Sequence, residues 1–258
     1  MKISTWNVNS LRVRLPHVTD WLARVQPDVL CLQETKVTDE DCPVDSLRAA
    51  GYHVLHAGQK SYNGVAILSR IPLVETSTEA PGLDGNQKRY AAATVNGVRV
   101  ISVYVPNGEA VASPKYTYKL EWLAALQAHL ERELTRYPLL AVVGDFNVAP
   151  DERDVHDPRL WQNQVLFSEP ERAALQGLLA TGLIDVFRRF PHPAGSFSWW
   201  DYRQGAFRRN LGLRIDHIFC SATLAERCGA CTIDTAPRAL ERPSDHAPVI
   251  AEFRDVQK

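Results

Sequence analysis

Acidic and amide side chains follow the ends of several apolar segments of this chain. The segment "VVGDFNVAP" (142–150) continues an apolar run that is typical of a strand buried on both faces, and then presents Asp145 and Asn147. Taken alone, this is ordinary turn chemistry after a strand. The pattern recurs, however, at Asn7 and Asn9, Gln33 and Glu34, Tyr104 and Asn107, Asp216 and His217, and Asp245 and His246. Strand ends of α/β folds often carry functional groups, so the set predicts one shared site.

The residue types of this set favour hydrolysis of a phosphodiester with the help of a hard cation. Carboxylate and amide oxygens are the ligands that Mg²⁺ prefers, whereas the lone pair Cys228 and Cys231 lacks the further ligands that would favour zinc. A cation and a charged imidazole would offset the charge of the phosphate, while a carboxylate takes a proton from water. Surface or helix-capping roles explain any single acid, but not the whole set.

A second segment, "SFSWWDYRQGAF" (196–207), interleaves aromatic residues with arginine. Trp199, Tyr202 and Arg203 are suited to stack on bases or on an extruded nucleotide and to neutralise phosphates. Packing in a core strand is an equally good interpretation for Trp199 and Trp200. The net charge of −1 neither indicates nor excludes a nucleic-acid partner. Taken singly, the basic clusters are expected to be solvated surface charge; they include Arg12 with Arg14, Lys88 with Arg89, and Arg208, Arg209 and Arg214 near Arg203.

Eight short apolar segments predict the strands that position these groups. They are residues 2–9, 28–34, 64–69, 90–95, 98–106, 139–145, 214–220 and 247–253. Asn96-Gly97 predicts a tight hairpin between the fourth and fifth strands, because both turn residues tolerate positive φ. Asp185, in "GLIDVFRRF", is expected to be structural.

Helical periodicity separates the strands. The first helix has an apolar face of Leu15, Val18, Leu22 and Val25. A longer helix begins at Ser113 and Pro114, with a predicted face of Leu120, Leu123, Leu130, Leu134 and Tyr137. A third helical segment, 169–182, ends at Gly182. The alternation predicts an α/β protein with two packed mixed sheets and helices outside, in a single domain over residues 1–258.

Composition places the chain among ordinary globular proteins. It has 258 residues, of which 45% are hydrophobic and 23% charged. The N-terminus "MKISTWNVNS" is too polar for a signal peptide and no apolar run has membrane-spanning length, so we expect a cytoplasmic protein without a membrane partner. The five cysteines do not suggest a disulfide framework, and Cys31 is expected to be a buried small hydrophobic residue.

Eight motifs, in order along almost the whole chain, resemble the exonuclease III family of abasic-site endonucleases and 3′–5′ exodeoxyribonucleases, within the endonuclease/exonuclease/phosphatase superfamily. They are "WNVNSLR" (6–12), "LQETKV" (32–37), "GQKSYNGVAILSR" (58–70), "VYVPNG" (103–108), "GDFNVAP" (144–150), "FSWWDYR" (197–203), "GLRIDHI" (212–218) and "PSDHAPV" (243–249). Together they are highly specific. The resemblance implies a four-layer α/β sandwich with the site at the edge of the two sheets. Ser10 departs from the family, which more often has glycine there.

The resemblance also implies a metal centre. Glu34 is similar to the principal Mg²⁺ ligand, supported by Asn7 and by Asn9, and Asp245 is similar to a further metal or site-shaping ligand. The implied ligand set is Asn7, Glu34, Asp145, Asn147 and Asp245, with Mg²⁺ as the cofactor and Mn²⁺ as a substitute.

Further roles follow from the resemblance for the catalytic groups. Asp145 resembles the residue that activates the attacking water or handles the leaving-group proton, and Asn147 the residue that orients the water or holds the transition state. Asp216 resembles the carboxylate that pairs with His246 and favours its charged form. Tyr104 is similar to a residue that contacts the scissile phosphate.

DNA contacts are implied in the same way. Arg12, Lys36, Tyr62 and Asn107 match positions that touch the DNA backbone. The pocket for an extruded abasic sugar would be lined by Trp199, Leu213 and Ile215.

The implied activity is a DNA repair nuclease that incises duplex DNA 5′ to abasic sites as a monomer, with 3′–5′ exonuclease and 3′-end-cleaning activity. One alternative is a phosphatase of phosphorylated lipids or inositols on the same fold, against which Tyr104 and the aromatic segment argue. Another is a non-catalytic nucleic-acid-binding regulator. That alternative predicts lost carboxylates, whereas Glu34, Asp145, Asp216 and Asp245 are all present.

Overall fold

Two six-stranded sheets lie at the centre of the structure, a computed structural model that describes residues 1–254. The strands are β1 (Lys2–Asn7), β2 (Val29–Gln33), β3 (His53–Ala57), β4 (Val65–Ser69), β5 (Val74–Ser77), β6 (Tyr90–Val95), β7 (Val98–Tyr104), β8 (Leu140–Asp145), β9 (Leu183–Asp185), β10 (Trp199–Trp200), β11 (Gly212–Leu213), β12 (Asp216–Ser221), β13 (Cys228–Ile233) and β14 (Val249–Phe253). The first sheet has the order β13-β14-β1-β2-β4-β3 and the second β5-β6-β7-β8-β12-β9, while β10 and β11 form a separate pair. Each large sheet contains one parallel pair, β1 with β2 and β7 with β8, so the prediction of mixed sheets is confirmed.

The helices are α1 (Leu11–Val25), α2 (Val44–Ala49), α3 (Pro114–Arg136), α4 (Pro158–Trp161), α5 (Glu169–Ala180) and α6 (Ala222–Ala225). The outer face of the first sheet is covered by α1 and α2 and that of the second by α3 and α5, whereas α6 packs against the core between the sheets. Side chains of both sheets, such as Ile67 and Val100, share the core between the sheets. Leu22 of α1 belongs to a cluster on the far face of the first sheet, and Leu126 of α3 to one on the far face of the second. This arrangement is the expected four-layer α/β sandwich.

Strand β8 is apolar up to its last residue, Asp145, because both of its faces are buried. Ala141 and Val143 point into the core between the sheets, and Leu140 and Val142 into the cluster beneath α3 and α5. The strand is therefore a rigid support for Asp145 at its end.

Local signals for turns and helix ends are confirmed. Asn96 and Gly97 have φ of 49° and 78° and join β6 to β7 in an antiparallel hairpin. Ser113 Oγ accepts a hydrogen bond from the backbone N–H of Tyr116 at 3.1 Å and so caps α3. Gly182, at φ 110°, follows the end of α5.

Several predicted strands are too long at their polar ends. The segments predicted over 2–9 and 28–34 end at Asn7 and Gln33, because Asn9 and Glu34 have positive φ, 44° and 51°. Asn147, beyond β8, has φ 51°. Such conformations are uncommon for residues other than glycine and concentrate at functional sites. The segments predicted over 98–106 and 214–220 likewise end at residue 104 and begin at residue 216.

The buried face of α3 differs from the predicted one. Leu123 and Leu130 are buried as expected, whereas Leu120, Leu134 and Tyr137 are only partly buried. The buried stripe also includes three polar residues, Lys119, His129 and Glu133. Apolar periodicity missed them because a buried polar residue looks in sequence like a surface residue.

Ser10 precedes α1 in an unfavourable backbone conformation, with φ 92° and ψ 103° and no capping hydrogen bond from its side chain. Because glycine adopts this conformation freely, we expect Ser10→Gly to raise the free energy of unfolding by about 1 kcal/mol and Tm by about 2–4 °C, measured by thermal unfolding. Ser113→Gly is the matched control, since Ser113 has an ordinary φ of −76° and caps its helix; it should lower Tm. A lower Tm for both variants would contradict the assignment of strain to Ser10.

Within residues 1–254, none of the helices combines the length and the apolar character needed to cross a membrane. The five cysteines are all buried and unpaired by disulfides, and the expectation for Cys31 is confirmed.

Candidate active site

Strand pairing brings polar strand ends of both sheets together. In the second sheet Asp145 lies opposite Tyr104 on one side and Asp216 on the other. In the first sheet Asn7 ends β1, beside the end of β2 that precedes Glu34. The side-chain amide of Asn7 donates to Glu34 Oε1 at 2.8 Å and to Asp145 Oδ2 at 2.9 Å. This asparagine therefore joins the polar edges of the two sheets.

A buried imidazole lies between two carboxylates. His246 Nδ1 is 2.8 Å from Asp216 Oδ2, and His246 Nε2 is 3.7 Å from Asp145 Oδ2. Ser198 Oγ donates to the same oxygen of Asp216 at 2.7 Å. Burial alone would lower the pKa of His246, but the charges of Asp216 and Asp145 raise it to about 10. The imidazole therefore carries a positive charge at neutral pH.

Asp145 is the most central carboxylate of the cluster, with a side chain only 1% exposed. Burial raises the pKa of Asp145 to about 7, against the opposing effect of the charge on His246. Its Oδ1 accepts a hydrogen bond from the backbone N–H of Asn147 at 2.9 Å, which fixes its orientation. A held carboxyl group with a pKa near neutral is suited to take up or release a proton.

Glu34 is held by a phenol and an ammonium group. Tyr104 donates its O–H to Glu34 Oε1 at 3.0 Å, and Lys36 Nζ lies 2.7 Å from Glu34 Oε2. Burial, together with the charges of Glu34 and Asp145, raises the pKa of Tyr104 well above its usual value. Tyr104 therefore stays a protonated hydrogen-bond donor.

Asn147 is fixed through its side chain as well as its backbone. Its Oδ1 accepts a hydrogen bond from Asn107 Nδ2 at 3.2 Å, and its Nδ2 donates to the carbonyl of Val105 at 3.0 Å. One N–H of the Asn147 amide remains for a further acceptor.

Asp245 connects the cluster to the aromatic segment. Its Oδ1 accepts from Asn9 Nδ2 and its Oδ2 from Trp199 Nε1, both at 3.0 Å. Burial would raise the pKa of Asp245, but the charge of His246 and these two hydrogen bonds lower it. Asp245 thus links Asn9 and Trp199 to the cluster, and its part as a metal or site-shaping ligand stays a prediction.

Three residues of the cluster converge on a candidate metal position, and the two carboxylates among them are the ligands that fit, because a charged imidazole has no free lone pair. Side-chain atoms of Glu34, Asp145 and His246 lie within 4.8 Å of one another. A cation at this position would offset the charge of the two carboxylates, of which Asp145 is buried. Two carboxylates fit a hard divalent cation. Asn7 turns its N–H groups towards these carboxylates, and its Oδ1 accepts from the backbone of Asn9 at 3.0 Å, so in this structure it orients the carboxylates.

The DNA-contact candidates occupy two kinds of position. Lys36 lies inside the polar cluster, where its ammonium group also donates to Asn9 Oδ1 at 2.6 Å. Arg12, Tyr62 and Arg203 lie on the surface: the Tyr62 residue is 71% exposed, and the two arginines pair with neighbouring aspartates at 3.4 and 2.7 Å. Their contacts with DNA stay predictions.

The aromatic segment is split between core and surface. Trp200 is buried, whereas Trp199 is half-buried, and its backbone forms an isolated bridge with His246. Tyr202 is half-exposed and accepts a hydrogen bond from Asn9 Nδ2 at 3.2 Å. Trp200 therefore fits the interpretation of core packing, whereas Trp199 and Tyr202 lie beside the polar cluster, where they could stack on a nucleotide.

Leu213 and Ile215 lie beside Trp199, and their part in lining a pocket for an extruded sugar stays a prediction. Both are buried, in a hydrophobic cluster against which Trp161 and Trp199 pack. In this structure Trp199, rather than either aliphatic side chain, presents surface beside the site.

Arg214 and His217 have structural positions that sequence reasoning did not anticipate. Arg214 is a buried ion-pair partner rather than a surface cation: its Nε lies 2.5 Å from Asp154 Oδ1 and its Nη2 lies 2.7 Å from Asp185 Oδ2. Burial and the neighbouring Arg214 lower the pKa of His217 to about 4. The neutral ring donates through Nε2 to the carbonyl of Val148 at 2.9 Å and accepts from Arg214. Asp185 is therefore structural, as expected.

Two contributors to the site were missed. Ser198 carries no catalytic signal in the sequence, yet it holds Asp216. Lys119 contacts the backbone of Asn107 and of Asn147. The available signal for Lys119 was its position among the buried residues of α3, on the same face as Tyr116 and Leu123.

Comparisons with known proteins agree with this geometry. Residues 4–246 match the model of the "Endonuclease/Exonuclease/phosphatase family". Exodeoxyribonuclease III of Haemophilus influenzae is 39% identical, with 98% of this chain and 100% of the relative covered. The structure of a 3′–5′ exonuclease, NExo, from Neisseria meningitidis is similar with a TM-score of 0.96 and 49% identity, covering 98% of this chain and 99% of that one. NExo from Neisseria is also described as a 3′ phosphatase bound to a product DNA hairpin. An AP endonuclease from Archaeoglobus fulgidus has a TM-score of 0.94 and 41% identity over the same shares of the two chains.

The chain thus belongs to the endonuclease/exonuclease/phosphatase family and, within it, to the exonuclease III family. It is a phosphodiester-hydrolysing DNA repair nuclease.

Proposed function

We propose that the protein is a Mg²⁺-dependent nuclease that hydrolyses duplex DNA 5′ to abasic sites and also trims or dephosphorylates 3′ ends. The observation that carries this proposal is the convergence of Glu34, Asp145 and His246 within 4.8 Å. Trp199, joined to this cluster through Asp245, adds an aromatic surface for an extruded sugar or a terminal nucleotide.

Each residue of the cluster has a separate role in the proposed hydrolysis. Asp145 moves the proton of the reaction, from water or to the leaving 3′ oxygen, because it is the buried carboxylate beside the imidazole and the backbone N–H of Asn147 holds its orientation. The charged His246 offsets negative charge that develops on the phosphate. Asn147 offers its remaining N–H to an oxygen of the phosphate or of the water. The O–H of Tyr104 is donated to Glu34 in this structure, so Tyr104 would exchange that bond to contact the phosphate.

Glu34 and Asp145 would hold the divalent cation, Mg²⁺ or Mn²⁺, with His246 beside it. When bound, the cation supplies positive charge at the phosphate and so lowers the barrier to attack by water. Lys36 and Asn7 hold the carboxylates in place for it.

A second candidate is an enzyme restricted to 3′ ends. It is favoured by the likeness to the Neisseria protein, which is described as a 3′–5′ exonuclease and a 3′ phosphatase. In that enzyme the same cluster would act on the phosphate at a 3′ end instead of the phosphate on the 5′ side of an abasic site.

One set of assays tests these proposals. The protein is incubated with an abasic duplex, a recessed 3′ end, a 3′-phosphate end and an inositol phosphate, each with Mg²⁺, with Mn²⁺ and with EDTA. We expect metal-dependent incision of the abasic duplex and slower processing of the 3′ ends. Cleavage of the 3′ ends alone would favour the second candidate. No DNA cleavage with Mg²⁺, or undiminished cleavage in EDTA, would contradict both.

We also propose that the protein works as a monomer in the cytoplasm, as one domain over residues 1–258. Light scattering during size-exclusion chromatography, with and without duplex DNA, tests the oligomeric state. A mass of twice that of the chain would contradict it.

A further inference from the structure

Lys119 is a buried lysine beneath the candidate active site. It lies on α3 with a fully buried side chain, and it pairs with the equally buried Glu171 of α5. A buried ammonium group is costly unless all its N–H groups find partners. Here the other partners are two backbone carbonyls, those of Asn107 at 3.0 Å and Asn147 at 2.6 Å.

These two carbonyls belong to the two asparagines whose side chains meet in the site. Asn107 follows β7 and Asn147 follows β8, and Asn107 Nδ2 donates to Asn147 Oδ1 at 3.2 Å. One ammonium group thus joins the backbones of both loops directly beneath the point where their side chains are bonded. Asn147 has φ 51°, so its backbone needs such support from its surroundings.

Glu171 fixes the ammonium group in turn. Its Oε2 accepts from the backbone N–H of Ser168 at 3.0 Å, and its Oε1 accepts from that of Leu166 at 3.0 Å. Ser168 and Glu171 form the capping box at the start of α5. The counter-ion of Lys119 is therefore held by the beginning of a helix and cannot follow a moving loop.

We propose that Lys119 is a positioning residue that fixes the Asn147 side chain for the reaction by binding the Asn107 and Asn147 carbonyls. The proposal rests on the proposed function, because the rate of DNA cleavage is one of its readouts. It predicts that loss of Lys119 lowers kcat rather than weakening DNA binding, since Lys119 is buried and does not contact the substrate surface.

The test is the double variant K119M/E171Q. It removes both buried charges together, and glutamine at 171 can still complete the capping box with Ser168. We expect kcat on the preferred DNA substrate to fall about 10²-fold with KM changed less than about 3-fold. Hydrogen exchange in residues 105–109 and 145–149 should become faster. K119Q/E171Q, whose two amides can bond each other, is the second variant if the first does not fold, with the same expectations.

A matched control removes the other buried ion pair of α3. Arg99 and Glu133 lie 2.9 Å apart, and neither contacts a residue of the site. R99M/E133Q should lower stability while leaving kcat, and exchange in the two loops, near wild type. An equal loss of kcat in this control would overturn the proposal, because the effect would then be one of general stability.

A double-mutant cycle with Asn147→Ala separates positioning from a direct effect. If Lys119 acts through Asn147, K119M/E171Q should change the rate of the Asn147→Ala enzyme less than about 3-fold. An undiminished loss in that background, or wild-type kcat in K119M/E171Q, overturns the inference. If the wild type cleaves no DNA, the proposed function fails, but the inference can still be tested by hydrogen exchange in K119M/E171Q. Faster exchange in the two loops of this variant would then support the inference, and unchanged exchange would contradict it.

Discussion

Asp145→Asn is expected to lower turnover of the preferred DNA substrate about 10³-fold while the protein remains folded. Asparagine matches the shape of aspartate, and its Oδ1 can still accept the hydrogen bond from the backbone of Asn147. It cannot, however, take up or release the proton, and it removes one of the two carboxylates placed to hold the cation. Single-turnover kinetics at saturating Mg²⁺ measure the loss.

The pH dependence of stability gives this variant a second expected result. The folded-state pKa of Asp145 is raised from 3.8 to about 7, so its contribution to stability is fully present below pH 4 and is lost as the pH rises through about 7. Relative to Asp145→Asn, the metal-free wild type should therefore lose stability between pH 4 and pH 8. Urea unfolding across this range, without metal, measures the difference.

Asp185→Asn is the matched control for Asp145→Asn. Asp185 is largely buried, but the charge of Arg214 outweighs the effect of burial and lowers the pKa of Asp185. Asp185→Asn should thus lower stability and leave turnover near wild type. Normal turnover in Asp145→Asn, or a loss of similar size in both variants, would contradict the catalytic assignment.

His246→Asn is expected to lower kcat about 10²-fold, because it removes the one imidazolium of the cluster that faces the proposed phosphate position. The imidazolium also contributes stability. Its pKa is raised from 6.5 to about 10, so this contribution is fully present below pH 6.5 and is lost as the pH rises through about 10. The stability difference between wild type and His246→Asn should therefore shrink across that interval.

Asp216→Asn provides the comparison for His246. It keeps the imidazole but removes the charge that contributes most to raising its pKa. An NMR titration should find the imidazole pKa lower in this variant, with a smaller loss of kcat than in His246→Asn. A wild-type pKa in Asp216→Asn would show that the pair at 2.8 Å does not control the charge of His246.

The sequence predicted the layers and most of the polar cluster because both follow from local patterns. Apolar segments such as residues 140–144 predict strands buried on both faces, and Asp145 is the acid that ends this segment. What local patterns cannot predict is the pairing of buried charges. Lys119 and Glu171 are separated by 52 residues, and either one alone looks in sequence like a solvated surface charge.

Strand ends were also misplaced for a physical reason. Glu34 adopts positive φ, which sequence propensity does not anticipate for glutamate. Asn9 also has positive φ, but an asparagine that tolerates this conformation does not by itself mark the end of a strand. The aliphatic residues Leu213 and Ile215 could be assigned to the right region, but their depth depends on how Trp161 and Trp199 pack over them.

The position of β1 between β14 and β2 has a consequence for the folding of the chain during its synthesis. Asn7 lies near one end of the chain and His246 near the other, and the first sheet pairs Lys2 with Glu252. Contacts of such long sequence separation form late in folding, because the closure of a large loop opposes them. A growing chain on the ribosome can already contain Asp145 and Glu34 yet lack the imidazole and the strand that orders β1. If His246 is required as proposed, nuclease activity arises only after the segment that carries His246 and β14 has been synthesised.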